Sequence, residues 1–123
     1  MVVVERAVKR VLTGQFREGE DLIQSLQDLV EKERVHIAKI EIIGAVSRAK
    51  VGFFNYKSQE YEFSKYRRPM NIVSCIGDVT TEGGIPIVHL HISLADHDGG
   101  MFGGHLFDET TILSADFYLT VYE

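Results

Sequence analysis

Three histidines fall between positions 89 and 105: the pair His89-Leu90-His91 and, beyond the run Asp96-His97-Asp98-Gly99-Gly100, His105. Neutral imidazoles are nitrogen donors of intermediate softness. Three together suit Zn²⁺, Ni²⁺ or Cu²⁺, with zinc the default and a fourth position left to water. A His-x-His pair needs only a β-strand to aim both rings the same way, because strand side chains repeat every second residue. The flanking residues predict that strand: Val88, Leu90, Ile92 and Leu94 alternate with His89, His91, Ser93 and Ala95, giving one face for a core and one for a metal. Asp96 to Gly100 is a strong turn signal. If it closes a hairpin centred on Asp98, His91 faces His105 and His89 lies diagonal to it. Directly opposed Cβ atoms stand roughly 4.5–5.5 Å apart and diagonal ones remain within reach of long side chains. The competing reading is a half-exposed strand whose histidines only meet water. The third histidine, the register and the glycine-rich approach to His105 favour a metal site formed by His89, His91 and His105.

Other residues with chemistry to offer are read more plainly. His36 stands at the entry to a strand, as a structural polar residue, and His97 lies in the turn, solvated unless the loop folds back. Asp96 and Asp98 are turn-formers whose side chains bond nearby backbone N–H groups; the sharper alternative makes Asp96 the partner that orients a ligand histidine. Glu41, Asp96 and His97 are the loose candidates for a general acid or base. Cys75 is the sole cysteine, so no intrachain disulfide forms, and within Ile72-Val73-Ser74-Cys75-Ile76 it is expected to pack as a small hydrophobe.

The elements that must position these residues follow from periodicity. Residues 3–13 read as an opening strand interrupted at Gly14. Leu22, Ile23, Leu26, Leu29 and Val30 make one apolar stripe at helical spacing, with Glu18, Glu20 and Asp21 near its start and Lys32 and Arg34 near its end, as the helix dipole favours. Strands are then predicted over 37–43 up to Gly44, 49–54, 60–63, 70–79, 86–95 and 111–122, with turns at 55–59 and 81–84. The expected fold is α+β: a largely antiparallel β-sheet of about seven strands with one main helix packed on it, in a single domain over residues 1–123.

Composition bounds the function. The 123 residues include 13 Lys and Arg against 18 Asp and Glu, a net charge of −5. That balance opposes binding to nucleic acid, which rewards clustered cations that displace counterions from phosphates. The densest basic run, Lys65-Tyr66-Arg67-Arg68, is short and reads as a strand end or loop. Met1-Val2-Val3-Val4 meets charge at Glu5 and Arg6, which is neither a signal peptide nor a membrane span; no membrane association and a cytoplasmic location are expected.

Taken together, the run from His89 to Leu106 resembles the hallmark of the PPC (plants and prokaryotes conserved) domain family, His-Leu-His-x-x-Leu-Ala-Asp-x-x-Gly-x-x-x-Gly-Gly-His-Leu, and matches at every fixed position. Two weaker blocks agree: Gly19-Glu20-Asp21-Leu22 at the helix start, and Ile43 to Ala49 followed by Val51-Gly52-Phe53-Phe54. The resemblance spans about residues 5–121. It implies an antiparallel α+β fold assembled as a homotrimer, with a histidine triad similar in spacing to that of the zinc enzyme acetolactate decarboxylase, whose fold is related. In plants the domain follows an AT-hook, a short Arg-Gly-Arg-Pro element that enters the minor groove; here Arg67-Arg68-Pro69 lacks the glycine. Three functions therefore stand side by side. The first is a small trimeric module binding one zinc per chain through the triad, with room for a small-molecule ligand at the metal. The second is a metal-dependent enzyme acting on a small organic acid or ester. The third is DNA binding, the label the family often carries.

Overall fold

The computed structural model describes all residues from Met1 to Glu123. Seven strands and one helix follow in the order β1 (Val8–Gln15), α1 (Leu22–Lys32), β2 (Ala38–Asn55), β3 (Glu60–Tyr66), β4 (Met70–Glu82), β5 (Ile85–Ala95), β6 (Met101–Leu106) and β7 (Thr111–Tyr122). Every strand pairing is antiparallel, and the sheet runs β1-β7-β2-β4-β5-β6, with β3 paired to β2 off that path. This is the α+β fold expected. The helix is too short to cross a membrane.

The long strand β2 organises the sheet. Its first part, Ala38 to Val46, lies between β7 and β4; its second part, Ala49 to Asn55, takes β3 on one side and, at Val51 and Gly52, β6 on the other. The sheet thus curls until β6, the last strand of the path, meets β2 again. The sequence pattern predicts two strands here, divided near Gly44. The divide is real but is a bulge: Gly44 takes φ +139, register shifts occur there and at Val46, and the buried set changes from Ile40 and Ile42 to Ala49 and Val51. A bulge inserts a residue and turns the strand without ending it. The start of β1 is also corrected. Residues 1–7 belong to no strand, and β1 runs through Gly14 to Gln15.

The helix is capped by Asp21, whose carboxylate accepts from the Gln24 N–H at 3.0 Å and, with its other oxygen, from the Glu109 and Thr110 N–H groups at 2.7 and 3.2 Å. One side chain thereby satisfies an orphan donor of the helix and fixes the loop before β7. Leu22, Leu26 and Val30 are buried and join Leu90, Leu94, Ile40, Ile112 and Leu119 in one apolar core. Gln27 ties the helix to β5, donating to the Pro86 carbonyl at 2.6 Å and accepting from the Val88 N–H at 3.1 Å. Cys75 is buried, and burial pushes its thiol up to about 12, so it packs as the small hydrophobe expected.

Candidate metal centre

On β5 the even-numbered Leu90, Ile92 and Leu94 face the core, so His89 and His91 project from the opposite, outward face. The loop Asp96–Gly100 returns the chain into β6 with His91 opposite His105, Ile92 opposite Gly104 and Leu94 opposite Phe102, the register expected of a hairpin centred on Asp98. Asp96 builds that turn. Its carboxylate accepts from the N–H groups of Asp98 and Gly100 at 3.1 and 2.9 Å, and from Arg68 Nη2 at 3.3 Å. Desolvation raises the Asp96 carboxyl, but the Gly100 and Asp98 N–H groups and the Arg68 guanidinium outweigh it and hold it below the usual carboxylate range. None of these partners is a histidine, so Asp96 is a turn-former and does not orient the triad.

The hairpin brings the three imidazoles together. His89 Nε2 and His105 Nδ1 lie 3.1 Å apart, and the ring centroids are separated by 4.5 Å (His89–His105), 5.2 Å (His89–His91) and 5.6 Å (His91–His105). A ligand nitrogen from each lies within 4.8 Å of the others. Two nitrogens on one tetrahedral zinc at about 2.05 Å each are roughly 3.3 Å apart, so the set fits such an ion with small rotations. His89 and His91 are exposed and His105 is half-buried. Burial, followed by the neighbouring charges of His89 and His91, pushes His105 down to about 4, so it offers an unprotonated nitrogen at neutral pH.

His105 is held from the side by residues the sequence reading did not assign to the site. Phe107, two residues on along the chain, stacks on its ring at a 4.5 Å centroid distance and 29°, and Tyr61 of β3 meets it edge-on at 5.4 Å. Gly52, paired with His105 across β2–β6, leaves the space that Phe107 fills: a Cβ there would lie 2.6 Å from the Phe107 ring. The Phe107 backbone is anchored by its N–H to the Lys50 carbonyl at 3.0 Å and by its carbonyl, which accepts from the Thr110 hydroxyl at 2.9 Å. Thr110 is the one fully buried polar residue, and its oxygen also accepts from the Lys50 N–H at 3.2 Å. The alternation of Tyr61 and Phe63 marked a strand, but only the β2–β3 and β2–β6 pairings reveal which residues it adjoins.

The remaining candidates lie elsewhere. His97 is solvent-exposed beside Asp98 at 3.2 Å, and the His36 carbonyl accepts from the Thr81 hydroxyl at the far end of β4. Glu41 pairs with Lys39 at 3.0 Å, and register places Ile76 between it and His91. An open cleft of about 840 Å³ adjoins the triad; its lining includes Phe54, Tyr56, Tyr61, Ser74, Ile76 and Ser93 but no Asp, Glu, Lys or Arg.

The profile of the Plants and Prokaryotes Conserved (PCC) domain, the PPC domain named above, matches residues 4–123. The plant- and prokaryote-conserved (PPC) protein of Pyrococcus horikoshii has a similar structure, with a TM-score of 0.94 at 30% identity over 100% of this chain and 85% of that one. A metal-containing protein of Archaeoglobus fulgidus gives 0.93 at 28% identity, over 100% and 86%. The alpha-acetolactate decarboxylase of Bacillus subtilis shares the fold alone, with a TM-score of 0.65 at 15% identity over 89% of this chain and 51% of that one. No curated protein matches the sequence.

Proposed function

This chain belongs to the Plants and Prokaryotes Conserved (PCC) domain family, and from that premise we propose that it is a small homotrimeric metal-binding protein in which His89, His91 and His105 hold one zinc ion per chain. The observation that carries the reading is the convergence of three imidazoles, each with a nitrogen within 4.8 Å of the others. The metal-containing relative from Archaeoglobus fulgidus, similar over the whole of this chain, supports a metal in this fold. Nitrogen-only donors suit zinc, and three of them leave one position for solvent or a ligand.

Zinc held by these histidines would supply a Lewis acid in the lining of the cleft. The chain's own residues do the rest. Phe107 and Tyr61 cover one flank of His105 and fix its ring, while His89 and His91 stay open to solvent. The cleft lining contains no carboxylate to serve as a base and no cation to hold a second anionic group. The enzymatic alternative therefore has only the distant fold likeness behind it, and fold alone does not carry chemistry. DNA binding fares no better. Of the short basic run, Lys65 pairs with Glu109 at 3.3 Å and Arg68 with Asp96 at 3.3 Å, so two of its three cations already have carboxylate partners.

Elemental analysis after dialysis against a mild chelator and zinc reloading tests the metal. One zinc per chain is expected in the wild type and in His36→Ala, and a sharp fall in His91→Ala, because two remaining imidazoles hold zinc poorly. Equal zinc in wild type and His91→Ala, or none in either, would overturn the assignment.

A further inference from the structure

The cleft beside the triad has a chemical character of its own. One wall is a continuous run of aromatic rings that begins at a ligand histidine: Tyr61 lies 5.4 Å from His105, Phe54 5.1 Å from Tyr61, and Tyr56 5.0 Å from Phe54, each pair edge to face. Tyr56 is 79% exposed and Tyr61 40%. Aromatic rings left this open to water at the mouth of a cavity gain from a partner that covers them. The lining also carries Ile76, Ser74 and Ser93. The cleft's volume of about 840 Å³ accepts a small molecule, and no formal charge lines it other than any histidine that protonates.

Resting on the zinc reading above, we infer that this cleft binds a monocarboxylate whose carboxylate takes the open metal position and whose uncharged aromatic body lies along Tyr61, Phe54 and Tyr56. The charge balance selects the head. Three neutral imidazoles leave the metal's two positive charges uncompensated, so an anion is favoured at the open position. It also selects the tail. A second carboxylate would lie against the negative faces of aromatic rings with no Lys or Arg to receive it. A cationic tail would find no Asp or Glu in the lining to receive it. The ring geometry selects the shape. The wall rings meet one another at 64° to 83°, which presents both faces and edges to an incoming planar ring, the arrangement in which aromatic pairs are favourable.

The test is calorimetric titration of the zinc-loaded full chain with benzoate, acetate and succinate, with zinc content measured on each sample. Benzoate is expected to bind about tenfold more tightly than acetate, the advantage of one or two aromatic contacts. Succinate should bind no better than acetate, and chelator-treated protein should bind none of the three. Tyr56→Ala, in the turn and remote from the histidines, and Tyr61→Ala should each weaken benzoate toward the acetate value. Zinc content in Tyr56→Ala should stay at the wild-type level. Benzoate and acetate binding equally, succinate binding more tightly than both, or benzoate affinity unchanged in both tyrosine variants would overturn the inference while leaving the metal in place. A wild-type chain that takes up no zinc would instead bring down the metal assignment, and this one with it.

Discussion

At the scale of single residues, the three histidines were legible because two simple rules place them. Strand side chains repeat every second residue, which aligns His89 with His91, and a turn rich in Asp and Gly folds His105 back across from His91. What was not legible was the environment of His105. Phe107 is near in sequence, but its stacking depends on Gly52, and Tyr61 reaches the site only through a pairing between distant segments. That environment has a measurable consequence. His105 titrates near 4 in the folded chain instead of near 6.5. Between those values the unfolded chain binds the proton and the folded chain does not, so stability rises with pH across that window and falls as the solution is acidified through it. Above about pH 7 this residue contributes no pH dependence, since both states are neutral there. Chelator-treated protein should therefore show a lower urea midpoint at about pH 5 than at about pH 7.5, and His105→Gln should show a smaller loss. A variant that loses as much as the wild type would place the acid sensitivity in another group.

At the scale of elements, periodicity found the helix and every strand but β6, where Gly103 and Gly104 interrupt the pattern, and it split β2 at its bulge. Leu22, Leu26 and Val30 announced the helix by spacing alone, and all three are buried. Gly44 looked like a strand end because glycine usually punctuates, whereas here it sits at φ +139 inside β2, with the Ser114 carbonyl where a side chain would begin. No local signal distinguishes a bulge from a stop; the partner strands β4 and β7 decide it. Close backbone approach recurs at Gly77 of β4, opposite Leu90. A Cβ on Gly77 would lie 1.9 Å from the His89 carbonyl oxygen and 2.8 Å from Leu90 Cα, and backbone cannot swing aside as a side chain can. Gly77→Ala should push β5 away from β4 and carry His89 with it. The expected cost is about 1–3 kcal/mol, the usual range for an overpacked interior. It should be read as a lower urea midpoint, with weaker zinc retention against a competing chelator. An unchanged midpoint together with unchanged zinc retention would mean that the β4–β5 ladder yields freely and does not fix the triad.

At the scale of the whole molecule, the surface is larger than a free-standing chain of this size should have. A monomer of 13.9 kDa is expected to expose about 6,700 Å² by the usual scaling with mass. This chain exposes 7822 Å². Part of the surplus is the arm before β1, where Val2, Val3 and Val4 are open to water. Another part is an apolar patch on the outward face of the sheet. Tyr118 of β7 lies opposite Glu41 of β2, and Ile43 is the next residue of β2 on that face; the two are 43% and 54% exposed. Apolar area left in water costs about 25 cal/mol per Å², and covering it is what drives subunits together. The homotrimer that the family resemblance implies would cover such a face. It would also triple a net charge of −5, leaving an assembly that repels a polyanion more strongly than the single chain does. One measurement addresses both consequences. Light scattering on dilute protein should give three times the 13.9 kDa chain mass, and the same solution mixed with A·T-rich duplex at physiological salt should show no heavier species. Ile43→Glu, which sets a carboxylate in the apolar patch near Glu41, should shift the mass toward that of one chain. A wild-type mass of one chain would remove the trimer, and a heavier complex with the duplex that dissolves as salt is raised would mean that local cations outweigh the acidic whole.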